Sequence, residues 1–151
     1  MTRVFETNRG YTLLESLLVL LVVSFLILLP VLKGQALQEK NEESLFFKSF
    51  ERSLVRSQTA AILHYQICRV QAQVGQEVID LSLVDGRGIK IREILQVPKS
   101  VTILTNTTVT FKAGSGNIQK IVSFKFQRKW HNQLIQYQFY LGSGRFAKKI
   151  L

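Results

Sequence analysis

At 151 residues the chain has room for one domain with a modest core, and 46% hydrophobic residues with only two prolines exclude a disordered polypeptide. One cysteine, Cys68, excludes an intramolecular disulfide and a cysteine-based zinc site, which leaves a buried inert thiol or a link between two chains. The formal charge of +10 is lopsided: residues 1–85 hold eight Lys/Arg and nine Asp/Glu, whereas residues 86–151 hold twelve against one acid, Glu93. Such asymmetry points either to an anionic partner for the C-terminal half or to a solvated basic surface.

The first ten residues are polar and carry Arg3, Glu6 and Arg9. Residues 11–32 follow as an apolar run with a single charge, Glu15. As a helix this run is about 33 Å long, enough for a hydrocarbon core of about 30 Å, so a membrane segment is predicted. A secretory signal peptide would place its small-residue cleavage site after the apolar stretch, whereas here the small residue, Gly10, precedes it. Residues 35–65 are charged and free of Pro, and apolar Phe47, Phe50, Leu54 and Ala61, with Leu37 upstream, recur on one helical face. Lys40, Glu43, Lys48, Glu51, Arg52 and Arg56 flank that face. One helix from about Tyr11 to Tyr65 is predicted, interrupted locally by Pro30, which cannot donate to the Leu26 carbonyl.

Beyond Tyr65 the period changes from 3.6 to 2. Cys68, Val70, Ala72 and Val74 alternate with polar residues, and further strands are predicted near 78–84, 89–95, 101–104, 107–112, 119–129 and 134–141. Turn signals at 85–88, at Pro98 and at 113–117 separate several of them. Strands following a long helix imply an α+β fold, with the helix packed on a small antiparallel sheet.

The string Arg9-Gly10-Tyr11-Thr12-Leu13-Leu14-Glu15 resembles the class III signal of type IV prepilins and type II secretion pseudopilins. The resemblance implies a leader at 1–10, a membrane and polymerisation helix at 11–34, and a globular pilin-like domain at 35–151. That domain would comprise an amphipathic helix at 35–65 and a sheet at 66–151. It further implies that a prepilin peptidase cuts between Gly10 and Tyr11 and methylates Tyr11, with Tyr11 standing where such proteins usually carry Phe. Glu15 would then be the fifth mature residue. An ionisable group in an apolar segment is costly and is usually functional. In a helix bundle Glu15 needs a cation, which the amine of a neighbouring Tyr11 supplies, and this enforces axial register between subunits. The sheet region, with Ser115-Gly116-Asn117-Ile118-Gln119-Lys120 and Leu141-Gly142-Ser143-Gly144-Arg145-Phe146, is similar to the ComGD-type minor pilins of Gram-positive competence pili. The implied partners are other pilin subunits, the peptidase, the membrane and DNA. The implied location is a single-pass cell-membrane precursor with a cytoplasmic N-terminus, then the cell surface. The rival readings are a pseudopilin of a secretion system and an uncleaved single-pass protein with an external binding module.

For the hairpin at 119–141, alternation predicts Val122, Phe124, Phe126, Ile135, Tyr137, Phe139 and Leu141 on the core side. Ser123, Lys125, Gln127, Lys129, Gln136, Gln138 and Tyr140 would lie on the other side. A basic, aromatic-bearing face can track phosphates and stack bases, or it can be a solvated face or a contact with a neighbouring subunit. The candidate DNA contacts are Lys125, Arg128 and Lys129, followed by Arg145, Lys148 and Lys149; strict alternation turns Arg128 inward. Gly142-Ser143-Gly144 does not lead from a strand into a helix, so no nucleotide loop is expected. His64 and His131 lack acidic company, Asp80 and Asp85 read as turn or surface residues, and no nucleophile–base pattern stands out. Neither an enzyme nor a metal or other cofactor is expected.

Overall fold

A computed structural model describes residues 9–84, 90–129 and 132–151, with the backbone alone for 9–12, 29–36, 84 and 90. Most of the leader, the Asp85–Gly88 turn and His131 lie outside the described residues, as does the side chain of Pro30. Helical backbone, α1, runs over Arg9–Leu63. The chain divides into two compact units, Met1–Lys40 and Asn41–Leu151.

In the first unit every described side chain between Leu13 and Leu28 is exposed. The second unit contains all the strands. β1 (Ile67–Ala72), β2 (Val78–Val84), β3 (Lys90–Gln96) and β5 (Thr107–Phe111) form one antiparallel sheet in the order β3-β2-β1-β5. β4 (Val101–Ile103), β6 (Val122–Arg128), β7 (Leu134–Phe139) and β8 (Phe146–Ile150) form another in the order β4-β6-β7-β8.

The expectation of one long helix on one small sheet is therefore corrected. The strands make two four-stranded sheets, because β5 returns to pair with β1 while β4 takes the free side of β6. The part of α1 in the second unit packs on them, through Phe46, Phe47, Phe50, Leu54 and Ala61. The apolar first half has no sheet in its own unit against which to bury. Among the described residues no helix is long and apolar enough to cross a membrane, and the described side chains of the expected 11–34 span cover only 13–28. Leu37, expected on the apolar face, is exposed.

Alternation decides which side of each strand is buried. Cys68, Val70 and Ala72 of β1, Ile79 and Leu81 of β2, and Val109 and Phe111 of β5 point into the core. So do Phe124 and Phe126 of β6 and Ile135, Tyr137 and Phe139 of β7. Phe50 is the hub, with its ring centroid 5.2 Å from those of Phe126 and Tyr137 and 5.3 Å from that of Phe124, each edge to face. Leu141 departs from the predicted set: it lies past the end of β7 and is exposed.

The helix ends where Ala61 O accepts the Gly114 N–H at 2.8 Å. The two glycine-bearing stretches noted in the sequence meet here. Gly116 is buried at positive φ against Ile62, and a Cβ on Gly144 would overlap the Gly116 carbonyl and the Gln58 amide. These glycines permit close packing.

Candidate functional site

The N-terminal candidates lie in the first unit. Gly10 and Tyr11 belong to helical backbone, and the side chain of Tyr11 lies outside what is described. Glu15 is exposed and is the only charge among residues 13–28. The two serines of that stretch turn their hydroxyls back to the helix: Ser16 Oγ donates to Leu13 O at 2.9 Å and Ser24 Oγ to Leu20 O at 2.8 Å. What remains outward is hydrocarbon, with Leu17, Leu20, Leu21, Phe25 and Leu28 along one ridge. Such a surface suits burial against lipid or against similar helices, and Glu15 is the one group in it that would then need a cation.

The six basic candidates separate by strand parity. Lys125 pairs across β7 with Gln136, which pairs with Lys149 of β8, so Lys125, Gln136 and Lys149 form one row on the face away from the helix. The adjacent row begins with buried Phe124 and continues through Tyr137 to Lys148, which therefore faces the helix. Lys148 Nζ lies 2.9 Å from Glu51 Oε1 and 5.7 Å from the Tyr137 ring centroid. Tyr137 Oη donates to the same carboxylate at 2.8 Å. Burial, reinforced by the Glu51 hydrogen bond and charge, pushes the Tyr137 phenol well above its ordinary value. Burial also pushes Glu51 upward, but hydrogen bonds from Lys148 and Tyr137 and the Lys148 charge outweigh it, and the carboxyl titrates below its ordinary value.

Arg128 also turns toward the helix, as strict alternation required. Its Nε donates to Glu43 Oε1 and its Nη1 to Gln133 Oε1 at 3.0 Å. Glu43 is 1% exposed, and its second oxygen has no hydrogen-bond partner. Lys129 and Arg145 are exposed beyond strand ends. Arg128 and Lys148 thus neutralise helix carboxylates, whereas Lys129, Arg145 and Lys149 are exposed and Lys125 is half-buried.

The roles of Glu43 and Glu51 were missed by reading them as flanking charges. A signal for Glu43 was present: positions 43, 47, 50, 54 and 61 share one helical face, and an acid in that series must meet a base. Asp80, read as a turn or surface residue, sits within β2 and binds Arg92 of β3 through two hydrogen bonds, at 2.7 and 2.9 Å. That hydrogen bond and the Asp80 charge raise the Arg92 pKa. Cys68 is buried, and burial raises its thiol pKa, so it is an inert core group and not a surface linker.

No family model matches the chain, and no solved structure gives a significant match. The chain is 30% identical over 141 residues to the competence protein ComGD of Streptococcus pneumoniae (strain ATCC BAA-255 / R6). The likeness covers 93% of this chain and 79% of that protein, so it takes in both the apolar segment and the strand region. The chain belongs to the ComGD family of competence proteins.

Proposed function

We propose that the chain is a minor pilin of a competence-type pilus, assembling with other pilin subunits through segment 11–34 and serving DNA uptake during transformation. The observation that carries this reading is the likeness to competence protein ComGD along 141 residues. The role is structural. Before assembly the apolar segment holds the subunit in the cell membrane with its N-terminus inside; afterwards the subunit stands in a surface filament. A prepilin peptidase removes residues 1–10 and methylates Tyr11, whose amine then pairs with Glu15 of a neighbour. The exposed apolar ridge with its lone acid supports this use. The sparse acid content of residues 86–151 supports a polyanion as cargo and favours DNA uptake over protein secretion.

Co-expression with a prepilin peptidase, followed by intact-mass measurement and N-terminal sequencing, tests the reading. The expected product starts at Tyr11. Gly10→Val should leave the full-length precursor, because the added side chain keeps the peptidase from the backbone. Efficient release of a chain starting at Tyr11 from that variant would overturn the assignment.

A further inference from the structure

On the side of the sheets away from the helix, a cleft of about 470 Å³ opens where β5 meets the segment leading into β6. The Phe111–Ile118 bridge closes the intervening loop and sets residues 118–122 beside β5. Arg69 and Gln71 of β1 reach the cleft because the β1–β5 register places them opposite Thr110 and Thr108, all four on the outer face. Gln119 and Lys120 form the other wall.

We propose that this seam holds the phosphodiester backbone of DNA, a reading that rests on the uptake role above. All six of these polar side chains can donate hydrogen bonds, and among the described residues no carboxylate lines the cleft. Arg69 and Lys120 are exposed, and neither forms an ion pair with a described residue. Two cations flanked by hydroxyl and amide donors are the complement of a phosphate group. A concave site of one sign also focuses the field that draws a polyanion in. The surroundings reinforce it, since residues 94–151 hold nine Lys/Arg and no acid. Two of the nine, Arg128 and Lys148, are neutralised by the helix, but the Lys125–Gln136–Lys149 row extends the basic face across the second sheet. Among the described residues no aromatic side chain lines the cleft, so backbone contact without base stacking or sequence preference is expected.

The test uses the full chain in detergent micelles and fluorescence anisotropy with a labelled DNA duplex across a salt series. Arg69→Gln/Lys120→Gln should weaken binding about tenfold at low salt and reduce the salt slope by roughly two. Arg69→Lys/Lys120→Arg should retain wild-type affinity, and thermal melts of all variants should coincide because both side chains are exposed. Wild-type affinity in the Gln pair overturns the proposal. So does the absence of DNA binding by a wild-type chain that binds poly(glycerol phosphate). Incorporation into pili, measured by cross-linking in the same strains, is read separately. Normal incorporation without DNA binding overturns the seam alone, whereas absence of the wild-type chain from pili overturns the assembly reading on which it rests.

Discussion

Glu43 occupies a helix position whose neighbours on the same face are phenylalanines and a leucine, and it is held there by Arg128 from the end of β6. Removing one partner of a buried pair leaves a charge without water or counterion, which costs about 3–5 kcal/mol. Arg128→Ala should therefore melt far below wild type, and any accompanying loss of DNA binding would reflect the fold. The double change Glu43→Leu/Arg128→Met should recover most of that stability, since apolar side chains of similar size can replace such a pair. Equilibrium denaturation of the three chains checks both statements. Glu51 gives a pH signature. Its carboxyl titrates below its ordinary value, so the folded chain holds that proton less tightly than the unfolded chain does. The stability it supplies is in place above the unfolded carboxylate value and drains away as pH falls through the folded one. Thermal melts over an acid series should show this decline, and Glu51→Gln should flatten part of it.

Helix α1 contributes to the core through a stripe in which Leu54 is almost fully buried. Leu54→Ala should cost about 2–5 kcal/mol in denaturant unfolding, because neighbouring strands cannot collapse fully into the space left. That stripe was legible from periodicity, and so were most strands: the expected 78–84 is β2, and 101–104 and 107–112 overlie β4 and β5. β8 was not foreseen. Its sequence Phe146-Ala147-Lys148-Lys149-Ile150 breaks alternation, since Lys148 stands on the helix-facing side, where it pairs with Glu51. Pairing order was equally out of reach. Alternation states that a segment is a strand and which side is apolar, but not that β5 closes on β1 while β4 joins β6. The basic cleft depends on that partition, because Arg69 and Lys120, fifty-one positions apart, meet only when β5 lies between them. No local pattern could have paired them.

At the scale of the whole molecule the two units differ in what they leave uncovered. The second encloses an apolar core, whereas Leu13–Leu28 of the first present hydrocarbon on every side around one carboxylate. Under the proposed assembly that carboxylate needs a cation from a neighbouring chain. Glu15→Val should then spare cleavage and membrane insertion but greatly reduce incorporation into pili, scored by immunoblotting sheared filaments against cell-bound protein. Quantitative incorporation of the variant would remove the register argument.

The polar ties between helix and sheet span long stretches of chain: Glu43 to Arg128 is 85 residues, Glu51 to Tyr137 is 86 and Glu51 to Lys148 is 97. Loop closure over such separations comes before any reward from contact, so the helix cannot be covered by local events. During synthesis Phe47 and Phe50 emerge early, yet the strands that enclose them leave the ribosome last. For that interval the nascent chain displays two apolar surfaces, the N-terminal segment and this phenylalanine stripe, and a holding factor that binds exposed hydrocarbon would meet both. Substitutions in β7, or a stall before it is made, should accordingly appear first as aggregation or proteolysis of new chains, before any change in the stability of those already folded.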